Sequence, residues 1–280
     1  MEEIIFPEYL RHPLKVKKAL ELLDEGCSEP NVFKLFSKFN HDLGVRPGEV
    51  FPITRAFLGG KFGRARINNE PLDFLVAKNV SDIGPRLDGI RQGRANPVSF
   101  PVFYASNSKE TSSFEVLQEK NPGLYKITIG CWTSPRELCV ANLLDGLDPD
   151  LSNLTFAHSM PRNYVKEWPK LEGQSALILL DYFREKFKMT HFSGLYNITN
   201  VIAGVCYSLA EVDGIGYASV SNQFKGYNIV LKDFSMLACE SVEEWEVRKV
   251  SKDFLEHKLL RKGSVETDGS IIWNPVSSQR

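Results

Sequence analysis

Residues 93–116, GRANPVSFPVFYASNSKETSSFEV, predict a glycine turn, an apolar strand and a short helix in direct succession. Residues 93–97 predict a loop, because glycine and proline interrupt regular structure and asparagine favours turns. The apolar, aromatic run 100–105 is typical of a buried strand. The Ser-Asn-Ser sequence at 106–108 supplies helix N-cap residues, so we expect a helix over residues 109–120.

One face of this predicted helix is polar. Polar residues recur on it at three- and four-residue spacing and therefore share one side of the helix: Ser108, Thr111, Ser112, Glu115 and Glu119. Phe114 and Leu117 can then point into a core. We expect Tyr104, at the end of the strand, and Glu115, on the second helical turn, to face one cleft.

This arrangement resembles the RES domain, a family named for an arginine, a glutamate and a serine. The family pattern has an arginine after an early strand, then a GR-x-N turn, an apolar P-x-x-Y strand and T-x-x-x-E. The matching residues are Arg55 in FPITRAF, Arg94 and Asn96 in GRAN, Tyr104 in PVFY and Glu115 in TSSFE.

The family pattern ends with Y-x-S followed by N-hydrophobic-V-L. This chain has Ser219 in GIGYAS and Asn228 in YNIVL, so the resemblance covers residues 47–234. Three further arginines, Arg46, Arg64 and Arg66, lie close to Arg55. Residues 58–66 are rich in glycine and arginine and predict a loop. Such a loop could wrap a pyrophosphate with backbone amides and guanidinium groups, but taken alone it favours an ordinary solvated loop.

Members of this family resemble ADP-ribosyltransferases in fold and degrade NAD, usually as toxins of toxin–antitoxin pairs. The resemblance implies an enzyme that cleaves the nicotinamide–ribose bond of NAD, as a glycohydrolase using water or as a phosphorylase using phosphate. NAD is then the substrate, phosphate is a candidate co-substrate, and no true cofactor is implied. The implied protein partner is an antitoxin of the helix-turn-helix type.

The resemblance also implies roles for the charged residues. Breaking the bond builds positive charge on the ribose, as in glycoside hydrolysis. Glu115 would hydrogen-bond a ribose hydroxyl and stabilise that charge. Arg55 and Arg94 would hold the pyrophosphate through forked, charge-assisted hydrogen bonds.

The remaining implied site residues are neutral. Tyr104 would stack on nicotinamide or close the pocket wall. Ser219 would hydrogen-bond the ribose or the nicotinamide amide, and Asn96 and Asn228 would contribute to substrate binding. Taken one at a time, such residues are more often surface or packing residues. Their joint occurrence in family order is what favours an NAD site.

Two other functions stay open at this stage. An ADP-ribosyltransferase acting on a protein or small-molecule acceptor would share the site, and residues 145–170 could supply its acceptor surface. A non-catalytic RES-like binding module is the other alternative. Retention of the family residues speaks against the module.

Composition limits the remaining classes. The chain has 280 residues, 42% hydrophobic and 25% charged, with a net charge of −1 and no basic stripe that would favour nucleic acid. Its acidic start, MEEIIF, does not match a secretory signal, and no apolar run is long enough to span a membrane. Five cysteines without a C-x-x-C pair and scattered histidines predict reduced thiols and no metal site. We expect a cytoplasmic protein, with homo-oligomerisation left open.

The pattern of elements predicts an α+β fold: an ADP-ribosyltransferase-like mixed or antiparallel β core with surrounding helices and an N-terminal helical cap. We expect an N-terminal helical extension over 1–46 and a RES-like catalytic domain over 47–280, with a long insertion around 134–200. Expected helices cover 14–25, 29–43, 134–144, 171–188 and 194–212. Expected strands cover 50–57, 124–133, 214–220, 227–232, 234–239 and 242–250, and a hairpin covers 256–273.

Overall fold

A mixed β-sheet of ten strands forms the centre of the described part of the protein. The structure is a computed structural model, which describes residues 6–46, 49, 51–68, 76–87, 90–144, 165, 167–190 and 194–275. Its strands are β1 (Arg55–Leu58), β2 (Lys61–Ile67), β3 (Phe103–Ser106), β4 (Gly123–Thr133), β5 (Leu138–Leu143), β6 (Gly214–Ala218), β7 (Tyr227–Leu231), β8 (Ala238–Ser251), β9 (Phe254–Val265) and β10 (Ile271–Pro275). They lie in the order β1-β5-β6-β7-β3-β2-β4-β8-β9-β10.

One pair of neighbouring strands, β5 and β6, is parallel. The other neighbouring pairs are antiparallel. Hairpin turns join β8 to β9 and β9 to β10, and the second confirms the hairpin expected around residues 267–269. The sheet and its separate helices confirm the α+β class.

The described helices are α1 (Pro13–Glu25), α2 (Val32–Leu43), α3 (Val80–Ile83), α4 (Lys109–Leu117), α5 (Lys170–Lys188) and α6 (Leu195–Tyr207), preceded by a 3₁₀ turn at Glu8–Arg11. Five of them, α1, α2, α4, α5 and α6, confirm expected helices, because they lie within or close to the ranges expected from the sequence. Within the described ranges, no helix is long and apolar enough to cross a bilayer.

The local sequence explains the limits of α2. Asn31 caps its N-terminus by accepting a hydrogen bond from the Lys34 amide at 3.1 Å. Its buried residues recur at helical spacing, and the helix ends at Gly44, whose φ of 83° suits glycine. The N-terminal helices are therefore specified locally and were predictable.

Helices α1, α2, α5 and α6 share one large apolar core with strands β5, β6 and β7. Phe39 of α2, Phe183 of α5 and Ile202 of α6 belong to this core together with Ile215 of β6. The N-terminal helices thus pack with the sheet strands, and the boundary expected between 46 and 47 stays a prediction. Most of the segment 145–170 lies outside the described residues.

The helix expected over 134–144 is wrong. This segment contains β5, whose six residues are all buried between β1 and β6. The Ser-Pro pair at 134–135 is compatible with a helix start, but the apolar run after it is short and pairs on both sides. Periodicity cannot separate a short buried strand from a buried helical segment, so tertiary pairing decides.

Two more expectations change. The loop expected over 58–66 is largely strand β2, which pairs with β3 and β4. The strand expected over 234–239 begins only at Ala238, as part of the long strand β8. The range 134–200, expected as an insertion, holds β5 and α5 among its described residues, and both contribute to the large apolar core, while the insertion itself stays a prediction.

The close approach of β6 and β7 depends on Gly214. A Cβ atom at this position would lie 2.1 Å from the carbonyl oxygen of Val230. We therefore expect Gly214→Ala to lower the free energy of unfolding by about 1–3 kcal/mol through overpacking. Urea unfolding measures the change.

Gly59→Ala is the matched control, because its added Cβ would meet no atom closer than the Glu137 Cγ at 3.7 Å. We expect the control to change stability by less than about 0.5 kcal/mol. Equal stability of the two variants would contradict the packing described for β6.

Candidate active site

A cavity of about 490 Å³ opens beside helix α4, a volume in the range of small-molecule sites. Its walls come from strands β2, β3, β6 and β7, from helices α4 and α6, and from the glycine turn of residues 93–94. The charged, aromatic and amide side chains that line it are Arg64, Arg94, Tyr104, Glu115, Gln118, Glu119, Lys120, Tyr196, Tyr217 and Asn228.

Glu115 is the carboxylate that the sheet holds in this cavity. Its Oε1 accepts hydrogen bonds from the Ser219 Oγ at 2.6 Å and from the Asn228 Nδ2 at 2.7 Å. Ser219 directly follows β6 and Asn228 lies in β7, so two neighbouring strands fix the carboxylate. Among the described residues, no hydrogen bond reaches its second oxygen, Oε2. Glu115 therefore presents one oriented, available oxygen.

Both donors to Glu115 are themselves oriented. The Asn228 Oδ1 accepts a hydrogen bond from the Ser106 Oγ at 2.7 Å, which fixes the amide with its Nδ2 toward Glu115. The Ser219 Oγ accepts from the Asn222 amide at 3.1 Å, which leaves its single proton for Glu115. Ser219 is completely buried, so it acts on the cavity through the carboxylate.

Helix α4 is seated on β2 by serine side chains. Ser108 caps the helix by accepting a hydrogen bond from the Thr111 amide at 3.1 Å. One turn later, the Ser112 Oγ donates to the Gly63 carbonyl at 2.8 Å. A Cβ at Gly63 would lie 2.8 Å from that Oγ, so glycine permits this close packing.

Arg64, on β2, brings a positive charge to the cavity. Its guanidinium donates to three backbone carbonyls: Ile83 at 3.0 Å, Tyr104 at 2.6 Å and Gly84 at 3.2 Å. In the part of the chain that the structure describes, no carboxylate pairs with it. Burial, and secondly the charge of Arg66, lower the pKa of Arg64 to about 9. Arg64 therefore stays protonated at neutral pH.

Arg94 supplies a second positive charge. Its Nη1 donates to the carbonyls of Phe187 at 2.9 Å and Met189 at 3.1 Å, at the C-terminal end of α5. These contacts also involve no carboxylate, and the described ion pairs do not include Arg94. The cavity thus holds two guanidinium groups that backbone carbonyls orient and that acidic side chains do not neutralise.

Tyr104 braces the GRAN turn. Its hydroxyl accepts a hydrogen bond from the Ala95 amide at 2.8 Å and donates to the Asn96 Oδ1 at 2.9 Å. The Asn96 Nδ2 donates to the carbonyls of Arg91 and Pro97, so the whole amide is used within the turn. Asn96 is 3% exposed and does not line the cavity, so its place in the structure is within the turn, and its expected role in substrate binding stays a prediction.

The structure does not bring Arg55, the arginine expected from the resemblance, to the cavity. Arg55 lies on the edge strand β1, is exposed, forms an ion pair with Glu211 and does not line the cavity. Arg64 lies nine residues later, on β2, and does line it. Both arginines lie in a strand and precede an alanine, so the sequence pattern fits either one. Sheet order places only Arg64 beside α4.

The structure brings Arg94, Tyr104, Glu115 and Asn228 together in the cavity, with Ser219 hydrogen-bonded to Glu115.

Sequence reasoning missed two aromatic side chains that line the cavity, Tyr196 of α6 and Tyr217 of β6. Tyr217 is the tyrosine of the Y-x-S pattern and could have been noticed there. Tyr196 carries no local signal. Burial first, and then the charge of Glu115, keep the pKa of Tyr217 well above its ordinary value, so its phenol is neutral.

We expect Tyr104→Phe to destabilise the protein by about 1–3 kcal/mol, because the Ala95 amide and the Asn96 Oδ1 would lose their partner in a buried turn. Urea unfolding checks this. Tyr125→Phe is the control, because that hydroxyl donates to the exposed Asn121 carbonyl. An equal decrease in the free energy of unfolding in both variants would show that the Tyr104 hydroxyl does not stabilise the turn.

Comparison with known proteins identifies the family. The family model of the RES domain matches residues 65–249, more than half of the chain. This span begins directly after Arg64 and contains Arg94, Tyr104, Glu115 and Ser219, whereas Arg55 lies ten residues before its first residue. No match was found among curated proteins. The chain belongs to the RES domain family.

Proposed function

We propose that this protein is an NAD-consuming enzyme that cleaves the bond between nicotinamide and ribose. The observation that carries the proposal is the Glu115 carboxylate, with Oε1 fixed by Ser219 and Asn228 and Oε2 available in a cavity with two unneutralised arginines. A dinucleotide combines an anionic pyrophosphate with a ribose that becomes cationic during cleavage. The cavity offers the complementary charge for each.

Arg64 and Arg94 bind the pyrophosphate. A guanidinium carries five N–H donors, and carbonyls occupy three of those of Arg64. The remaining donors match phosphate oxygens through charge-assisted hydrogen bonds. Since the carbonyl contacts already orient both arginines, NAD meets a prearranged anion site, which lowers the entropic cost of binding.

Glu115 acts on the ribose. When the C–N bond breaks, its electron pair moves to the nicotinamide ring nitrogen and positive charge develops on the ribose. The Oε2 of Glu115 accepts a hydrogen bond from a ribose hydroxyl and stabilises this charge. An oxygen of water or phosphate then forms the new bond to the anomeric carbon; water releases one proton to solvent in this step, whereas an anionic phosphate oxygen has none to release.

The aromatic side chains form the pocket for the neutral leaving group. Tyr104 uses its hydroxyl in the GRAN turn and offers its ring to the cavity. Tyr196 and Tyr217 line the same cavity, and planar rings stack favourably on a pyridine ring. In this proposal Ser219 orients Glu115 and does not touch the substrate.

The acceptor is water or phosphate, so the protein is a glycohydrolase or a phosphorylase. Incubation of purified protein with NAD, with and without phosphate, followed by mass analysis, separates the two. We expect free nicotinamide together with ADP-ribose or a phosphorylated ADP-ribose. Absence of nicotinamide release under both conditions would contradict the proposal.

A toxin or defence role, countered by an antitoxin, belongs to the same proposal. Expression of the parent should then slow the growth of its host through loss of NAD. Transfer of ADP-ribose to a protein or small molecule is the alternative, and labelled NAD would reveal it. The surface expected to bind the acceptor, residues 145–170, lies mostly outside the described residues, so no observation favours this transferase alternative.

We expect Glu115→Gln to reduce NAD cleavage by about a hundred- to a thousandfold, because the lost charge matters most when the ribose is cationic. The glutamine oxygen can still accept from Ser219 and Asn228, so folding and NAD affinity should change little. Nicotinamide release and melting curves measure the two effects.

Glu110→Gln is the matched control, since Glu110 is an exposed glutamate on the same helix that does not line the cavity. We expect it to cleave NAD at the parental rate. If a folded Glu115→Gln protein releases nicotinamide at the parental rate, the proposed catalytic role of the Glu115 carboxylate is wrong.

We expect Arg64→Gln to weaken NAD binding by about 1.5–3 kcal/mol, the usual cost of losing a hydrogen bond to a charged group. Calorimetric titration with NAD measures it. Arg55→Gln is the control and should bind NAD normally, because Arg55 lies on the edge strand with Glu211. Weaker NAD binding by Arg55→Gln than by Arg64→Gln would instead identify Arg55 as the arginine that binds the pyrophosphate.

A further inference from the structure

The C-terminal end of α4 lacks the usual glycine cap. Its C-cap residue, Gln118, has φ −49° and ψ −51°, a right-handed conformation, and no left-handed residue follows before β4 begins. The last carbonyls of a helix have no partners within the helix and need other donors. In α4 this matters because Glu115 lies in the final turn.

Lys249 of β8 supplies those donors. Its Nζ donates to the carbonyls of Leu117 at 2.6 Å, Gln118 at 3.1 Å and Lys120 at 2.6 Å. An ammonium has three N–H groups, so each one meets a backbone carbonyl. Lys249 as a whole residue is 6% exposed. A cation also interacts favourably with the negative end of the helix dipole.

The same lysine lies where α4 turns into the sheet. Lys249 pairs with Gly123, the first residue of β4. The connection 118–122 between α4 and β4 therefore wraps around the ammonium group, and β8 controls the position of the helix end. Burial of a lysine ammonium among apolar groups would raise the free energy of the folded state. The hydrogen bonds to three carbonyls offset that cost.

Glu115 lies between two anchors of α4. Ser108 and Ser112 fix the N-terminal half through the cap and the Gly63 carbonyl. Lys249 fixes the carbonyl of Leu117, two residues after Glu115. Rotation of this last turn would move the carboxylate away from its donors, which lie at 2.6 and 2.7 Å.

We propose that Lys249 is a positioning residue, which holds the last turn of α4 so that the Glu115 carboxylate stays aligned in the cavity. The catalytic part of this inference rests on the proposed function. A misplacement of a reacting group by about 1 Å can cost about a hundredfold in rate. Lys249 does not itself line the cavity, and it holds Gln118 and Lys120, which do, through their backbone carbonyls. We therefore expect its effect to fall on turnover more than on NAD binding.

The test compares Lys249→Met with Lys252→Met. Methionine keeps the length and apolar stem of the lysine but cannot donate to the carbonyls. Lys252 lies three residues away, is exposed and does not line the cavity, so its variant should match the parent. For Lys249→Met we expect kcat to fall by about ten- to a hundredfold with KM within about twofold of the parent.

Hydrogen exchange provides a readout that does not depend on NAD cleavage. We expect faster exchange at the amides of residues 114–120 in Lys249→Met, with no change in the other strands and helices. If the parent does not cleave NAD, this local exchange still shows whether Lys249 holds the helix end. The proposed function and the positioning role can therefore fail separately.

Three results would overturn the proposal: parental kcat in Lys249→Met, a fall in kcat matched by an equal rise in KM, or unchanged exchange at 114–120. If Lys249→Met does not fold, Lys249→Arg keeps a cation in place while altering the fit to the three carbonyls. We expect a smaller fall in kcat with normal KM in that variant, and a parental kcat there would equally overturn the proposal.

Discussion

The site depends on one constraint: two neighbouring strands must present Ser219 and Asn228 to a single carboxylate oxygen of Glu115. Hydrogen bonds to a charged acceptor are short and strong, and they are worth most where water is excluded. The β6–β7 pairing sets the spacing of the two donors, and Ser106 on β3 fixes the second one. The pairing of β7 with β6, which Ser219 directly follows, therefore sets the geometry of the carboxylate.

The charge balance of the cavity follows from the same sheet. Arg64 comes from β2, and Arg94 from the turn that Tyr104 braces on β3. Neutral carbonyls orient both guanidinium groups, so their charge remains available to an anion. An arginine that already has a carboxylate partner would have to break that pair first. Arg55, which pairs with Glu211 on the sheet edge, shows the contrast.

Much of the fold could be predicted where the signals are local. The N-terminal helices have caps and helical spacing, α4 follows a Ser-Asn-Ser start, and the last hairpin has an Asp-Gly turn. The failures occur where partners distant in sequence decide. Strand β5 has no distinctive period because it is buried between β1 and β6, and β2 is a strand because β3 and β4 flank it.

The same distinction applies to the site. Motifs in family order predicted Glu115, Tyr104, Arg94, Ser219 and Asn228, because each lies in a recognisable short pattern. They did not predict which atoms form hydrogen bonds. Glu115 is separated in sequence from Ser219 by 104 positions and from Asn228 by 113 positions. Lys249 reaches Leu117 across 132 positions and belongs to no motif. Motif residues such as Glu115 and Arg94 could thus be found from sequence, whereas Arg64 and the residues that hold the cavity side chains in place follow from the pairing of the sheet.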